Sequence, residues 1–130
     1  MRIVILGANG FAGRRILQHL IHKQEHDLLA CSLHKDILLE EGYQFYELDI
    51  RDFEATNILL ATFKPEIIIN ASALSVVDYC EQHQEEAYEL NVSAVKHIAE
   101  YCQANNCRLI HLSTDFVFDG LKNTPYAETD

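Results

Sequence analysis

A chain of 130 residues supports one domain with a sizeable core and is too short for two of ordinary size. With 20 acidic against 10 basic residues its formal net charge is −10, which repels nucleic-acid phosphates and reads as solubility rather than nucleic-acid binding. No apolar run is long enough to cross a bilayer, and the first such run, at residues 3–6, breaks on Gly7 and makes no signal peptide, so a cytoplasmic protein without membrane contact is expected.

The elements follow in chain order. Ile3-Val4-Ile5-Leu6 is apolar throughout, as in a strand buried on both faces. A glycine turn over residues 7–13 leads into helical spacing over residues 11–22. Residues 28–33 read as a second strand, and residues 36–41 as a short helical turn ended by Gly42. A third strand covers residues 43–48. Asp52 then caps a helix that runs to Phe63 and stops before Pro65. Ile67-Ile68-Ile69 is a fourth apolar strand, residues 85–104 a long helix ended by Asn105-Asn106, and residues 108–112 a fifth strand. Residues 119–130 have turn composition, and the sequence stops without a closing element, which suggests a truncated domain.

Strands alternating with helices, several without polar alternation, call for a parallel sheet covered on both faces. Right-handed crossovers restrict this to an α/β, doubly wound Rossmann-type sheet in order 3-2-1-4-5, one dinucleotide-binding domain over residues 1–130. Cys31, Cys80, Cys102 and Cys107 form no C-x-x-C pair and read as reduced packing residues. His19, His22 and His26 can share a helix face, but no carboxylate or cysteine completes a ligand set, so no metal site is expected.

Gly7-Ala8-Asn9-Gly10-Phe11-Ala12-Gly13 stands between a strand and a helix. A diphosphate there meets unpaired N–H groups and the positive end of the helix dipole. Glycine permits the tight turn and lets the backbone reach the phosphate, Gly13 lets helix and strand pack closely, and Arg14 or Arg15 can add charge. The second strand ends near Ser32, His34 and Lys35, with no acid placed to repel a 2′-phosphate. Ser32 can hydrogen-bond that phosphate, Lys35 can supply charge and His34 can help when protonated, so NADP is favoured over NAD, the alternative being a solvated loop.

The G-x-x-G-x-x-G spacing resembles the extended short-chain dehydrogenase/reductase superfamily. Further runs sharpen the likeness: Asp49-Ile50, Asn70-Ala71-Ser72-Ala73, Val77-Asp78, Asn91-Val92 and Ile110 to Gly120 (IHLSTDFVFDG), with Pro125-Tyr126 behind. The last is similar to the dTDP-4-dehydrorhamnose reductase family, which reads S-T-D-Y-V-F-D-G and then P-Y. The resemblance implies that Asp49 and Ile50 contact adenine, although Asp49 can equally cap the next segment. It implies that Asn70, Ala71, Ser72, Ala73 and Ser113 border the cofactor, and that Ser75, Val76, Asp78, Thr114 and Asp115 face a nucleotide-sugar substrate. In such enzymes a nicotinamide gives hydride to a sugar ketone while a hydroxyl at the position of Thr114 hydrogen-bonds the developing alkoxide and a Tyr-x-x-x-Lys pair supplies the proton. Without the family likeness, Ser113 to Asp115 would be loop hydrogen bonding and Asn70 to Ala73 close packing. Asn91 is placed to brace nearby strand ends.

Two departures stand out. Leu74 replaces the tyrosine usual in that family, and the Tyr-x-x-x-Lys pair is absent, expected about ten or more residues beyond Asp130; Tyr126 is no substitute, because Asp130 is the fourth residue after it. Two functions follow: the NAD(P)-binding portion of a nucleotide-sugar reductase, homodimeric at full length and with this portion inactive alone, or a regulatory protein that binds the dinucleotide and catalyses nothing.

Overall fold

The computed structural model describes all residues, Met1–Asp130. Strands β1 (Arg2–Leu6), β2 (Asp27–Ser32), β3 (Gln44–Glu47), β4 (Ile67–Asn70) and β5 (Arg108–His111) form one parallel sheet in the order β3-β2-β1-β4-β5. This is the doubly wound arrangement expected, with the chain reversing direction of growth between β1 and β4.

The continuous apolar runs are explained by two cores, one per face. Val4 and Leu6 of β1 join Leu29, Cys31 and Ile68 on one face, and Ile3 and Ile5 join Leu28, Ala30 and Ile69 on the other. Helices α2 (Phe53–Phe63) and α5 (Ala94–Ala104) cover the first through Leu60, Ile98 and Cys102, while α1 (Phe11–Lys23) covers the second through Leu17. Burying each of the valine, leucine and isoleucine side chains among these contributes about 1.5–3 kcal/mol relative to leaving it exposed. All four cysteines are unpaired, and Cys31, Cys102 and Cys107 are buried. No helix is long and apolar enough to cross a membrane.

Asp52 caps α2 as expected, accepting from Ala55 N–H at 3.0 Å, and Lys64 ends it at φ 53° before Pro65. Elsewhere local chemistry overrides the pattern. The expected helical turn at residues 36–41 is absent: Asp36 accepts from Leu38 N–H at 2.9 Å and from the Tyr43 hydroxyl at 2.5 Å, and Leu39 turns to φ 53°. A side chain that satisfies the backbone in this way competes with helix. The three histidines do not share a helix face, because Gln24 ends α1 at φ 52° and leaves His26 beyond it. The long helix expected at residues 85–104 is present and runs unbroken over residues 84–104, with one irregular turn. It is built from α4 (Gln84–Tyr88), a π-helical turn (Glu89–Ser93) and α5, preceded by a short helix α3 (Val77–Gln82) that its few residues did not signal. A 3₁₀ turn, Asp115–Val117, follows β5.

Candidate functional site

The carboxyl ends of β1, β4 and β5 converge, and the loops leaving them build two adjoining clefts. The glycine turn forms the floor of the first. At Gly7 (φ +76°) a Cβ would lie 2.7 Å from Ser72 N and 2.8 Å from the Ala71 carbonyl carbon, so glycine is what lets the loop after β4 close on the turn. At Gly13 a Cβ would lie 2.2 Å from Gly7 O. These two glycines therefore serve packing. Gly10 differs. Its backbone (φ −68°, ψ 166°) suits any residue, and a Cβ would meet only Gly7 O, at 3.1 Å. The absent side chain leaves an open cradle over the first turn of α1, which no side chain caps and which carries no acidic residue. Uncapped N–H groups at the positive end of a helix dipole fit a phosphate.

This first cleft encloses about 310 Å³ and is bounded by Gly7, Gly10, Ser32, Asp49, Ile50 and Ala71, among others. Asn9, Phe11, Ala12 and Gly13 lie in the turn without lining it. Phe11 is exposed, and Asn9 donates both amide hydrogens outward, to His34 O at 3.1 Å and Lys35 O at 2.8 Å. That contact ties the turn to the loop after β2. The side chains of His34 and Lys35 are exposed at the rim, and Lys35 forms no ion pair. Asp49 is already engaged: its carboxylate accepts from Arg51 N at 3.0 Å, Nε at 2.9 Å and Nη2 at 2.6 Å. The Arg51 hydrogen bonds hold the Asp49 carboxyl below its usual range. Of the two roles open to Asp49 in the sequence, the structure fills the local one. Arg51 also reaches Glu86 on α4 at 3.1 Å, spanning the cleft; the sequence reading missed it, since a single arginine in a loop gives no pattern. Burial pushes the Cys31 thiol, on the cleft wall, up to about 12.

The second cleft, about 820 Å³, is within the range of small-molecule sites and shares Ser72, Ala73 and Leu74 with the first. Ser75, Ser113, Thr114 and Asp115 line it, so Ser113 faces this cleft rather than the glycine turn. Val76 and Asp78 do not line it: Val76 is the N-cap of α3 and Asp78 lies in its first turn. Glu81, Gln84 and His111, which line it, were not expected from the sequence. The Thr114 hydroxyl accepts from Phe116 N–H at 3.2 Å, capping the 3₁₀ turn, and donates to Asp115 Oδ1 at 3.3 Å. Asn70 lines neither cleft. Fully buried, it accepts from Ser72 N–H at 3.0 Å and so holds the shared wall from behind. Asn91 holds that wall from the other side through Leu74, from within the π turn.

Residues 1–130 match the family described as RmlD substrate binding domain. Among curated relatives, a dTDP-4-dehydrorhamnose reductase of Aggregatibacter actinomycetemcomitans is 36% identical over 129 residues, which are 99% of this chain and 40% of that protein. Methionine adenosyltransferase 2 subunit beta of Danio rerio is 32% identical over 129 residues, 99% of this chain and 37% of the relative. The chain thus spans about two fifths of the length of these relatives. The crystal structure of a hypothetical dTDP-4-dehydrorhamnose reductase from Sulfolobus tokodaii superposes with a TM-score of 0.87 at 35% identity, covering 100% of this chain and 45% of that one.

Proposed function

Because the chain belongs to the RmlD substrate binding domain family, we propose that it is the dinucleotide-binding portion of a nucleotide-sugar reductase that prefers NADP and reduces a 4-keto sugar. One observation carries this reading: the glycine-turn cleft and the larger cleft share the wall Ser72, Ala73 and Leu74, so a dinucleotide in one and a sugar in the other come together at that wall. When bound, a nicotinamide supplies hydride chemistry. The residues of this chain bind and orient. The first turn of α1, reached over Gly10, takes the diphosphate, with Gly7 and Gly13 shaping the turn. Ser32 and Lys35 take the ribose phosphate, on a loop that Asn9 holds in place. Ile50 lies beside the base, and Ala71 to Ala73 leave room for the ribose. Thr114 keeps Phe116 N–H as donor to its oxygen while its own proton leaves the long contact to Asp115 for the sugar oxygen.

A second reading, a dinucleotide-binding subunit without catalysis of its own, is favoured by the relatives named as methionine adenosyltransferase 2 subunit beta. No Tyr-x-x-x-Lys occurs in these 130 residues, so either reading expects binding without turnover from them. Calorimetry with NADPH and NADH, and an assay of NADPH oxidation with dTDP-4-dehydrorhamnose as hydride acceptor, test this. Absence of dinucleotide binding defeats both readings. Turnover by these residues alone contradicts the assignment of the proton donor to a Tyr-x-x-x-Lys pair.

A further inference from the structure

We infer that His111, locked in one tautomer by the buried amide of Asn70, is a hydrogen-bond donor to a sugar oxygen in the larger cleft; this rests on the reading of that cleft as the sugar site.

Asn70 and His111 are register partners at the ends of β4 and β5. Paired residues of neighbouring strands place their side chains on the same face of the sheet. Asn70 is 0% exposed, so its amide oxygen and its NH₂ must each find a partner within the protein. Its orientation follows from one of them. Ser72 N–H donates to Oδ1 at 3.0 Å, so the carbonyl end of the amide faces the loop after β4. The NH₂ end then faces His111 Nδ1, 3.3 Å away. An amide NH₂ only donates, so Nδ1 must present its lone pair, and the proton of the neutral ring sits on Nε2.

That Nε2–H has no partner within the protein, although His111 lines the larger cleft beside Ser113 and Thr114. The side-chain amides on the lining each already donate one bond inside the protein, Asn91 to Leu74 O at 2.9 Å and Gln84 to Glu81 O at 3.4 Å, whereas His111 Nε2–H donates none. No lysine or arginine lines this cleft, whereas Glu81 and Asp115 do. A phosphate would meet carboxylates and no cation there. An uncharged hydroxyl or carbonyl oxygen is what a fixed neutral N–H donor among serine and threonine hydroxyls recognises. The orientation is supplied from inside the core and not by the ligand, so the donor is preorganised.

The test is long-range ¹H–¹⁵N spectroscopy of the imidazoles in the ¹⁵N-labelled chain, in mildly alkaline buffer, with His111→Phe identifying the His111 signals. The parent is expected to show His111 Nδ1 unprotonated and Nε2 protonated. Asn70→Asp, which offers an acceptor in place of the NH₂, is expected to move the proton to Nδ1; should that variant fail to fold, the parent spectrum decides the tautomer by itself. Adding dTDP-rhamnose is expected to shift both His111 Nε2 and the Thr114 amide, and dTDP alone to leave Nε2 unmoved. His111→Phe is expected to weaken dTDP-rhamnose about 3–10-fold, the loss of one neutral hydrogen bond, with NADPH affinity unchanged. A protonated Nδ1 in the parent overturns the inference. So does a dTDP-rhamnose shift at Thr114 without one at His111, or a shift of Nε2 by dTDP alone. If dTDP-rhamnose moves neither signal, the sugar-site reading fails and this inference with it.

Discussion

Asn91 holds both backbone polar groups of Leu74: its Oδ1 accepts the Leu74 N–H and its Nδ2 donates to the Leu74 carbonyl, each at 2.9 Å. The pairing imitates one rung of a sheet, made by a side chain to a loop 17 residues earlier. It comes from a π turn, whose extra residue re-aims a side chain that a regular helix would point elsewhere. Leu74 belongs to the wall shared by both clefts, so this clamp holds one residue of that wall in place.

Removing the clamp with Asn91→Ala leaves both Leu74 groups without their partner. Stability should fall by about 1–3 kcal/mol, read from urea unfolding. Dinucleotide affinity should fall as well, because the wall is shared. A variant as stable as the parent would show that water replaces the amide without cost.

The three glycines of the turn should separate by experiment. Gly10→Val, at a backbone geometry open to any residue, is expected to keep the fold, by circular dichroism, and to abolish NADPH binding by filling the cradle. Gly13→Ala puts a Cβ 2.2 Å from Gly7 O and should instead destabilise the protein itself, by about 1–3 kcal/mol. Undiminished NADPH binding by Gly10→Val places the phosphate elsewhere.

Cofactor preference should follow the loop after β2. Competition binding at moderate salt is expected to favour NADPH over NADH, and Lys35→Ala to weaken NADPH selectively, since Lys35 has no ion pair to lose. Asn9→Ala, which frees the His34 and Lys35 carbonyls, should erode the same preference without removing any charge. Equal losses for both cofactors, or tighter NADH binding by the parent, overturn the assignment.

The Asp49–Arg51 pair predicts a pH dependence. Its hydrogen bonds lower the Asp49 carboxyl in the folded state. The stabilisation is therefore in place above the ordinary carboxylate value of about 4 and disappears as pH falls through the lowered folded value. Asp49→Asn should be less stable than the parent near neutrality, with the difference closing in acid. Urea midpoints across this range measure it, and a difference that widens on acidification would contradict the sign.

The backbone order was readable from the sequence because its signals are local. Apolar runs such as Ile3 to Leu6 and Ile67 to Ile69 specify strands buried on both faces, Asp52 and Pro65 bound a helix, and parallel strands joined by helices leave few topologies. The two clefts were readable only as neighbourhoods. Ser32, Asp49, Ala71 and Thr114 fall at strand ends, and strand ends converge in this architecture. What each side chain does there was decided by partners far along the chain. Asn9 answers carbonyls 25 and 26 residues away, Asn91 a loop 17 residues back, and Asn70 a histidine 41 residues on. The failed helical turn at residues 36–41 has a nearer cause, since Asp36 engages Leu38 N–H and the Tyr43 hydroxyl while Leu38 packs on the core under α1. Periodicity reports which residues face the interior. A hydrogen bond requires two groups within about 3 Å at a defined angle, and that proximity exists only once the chain has folded.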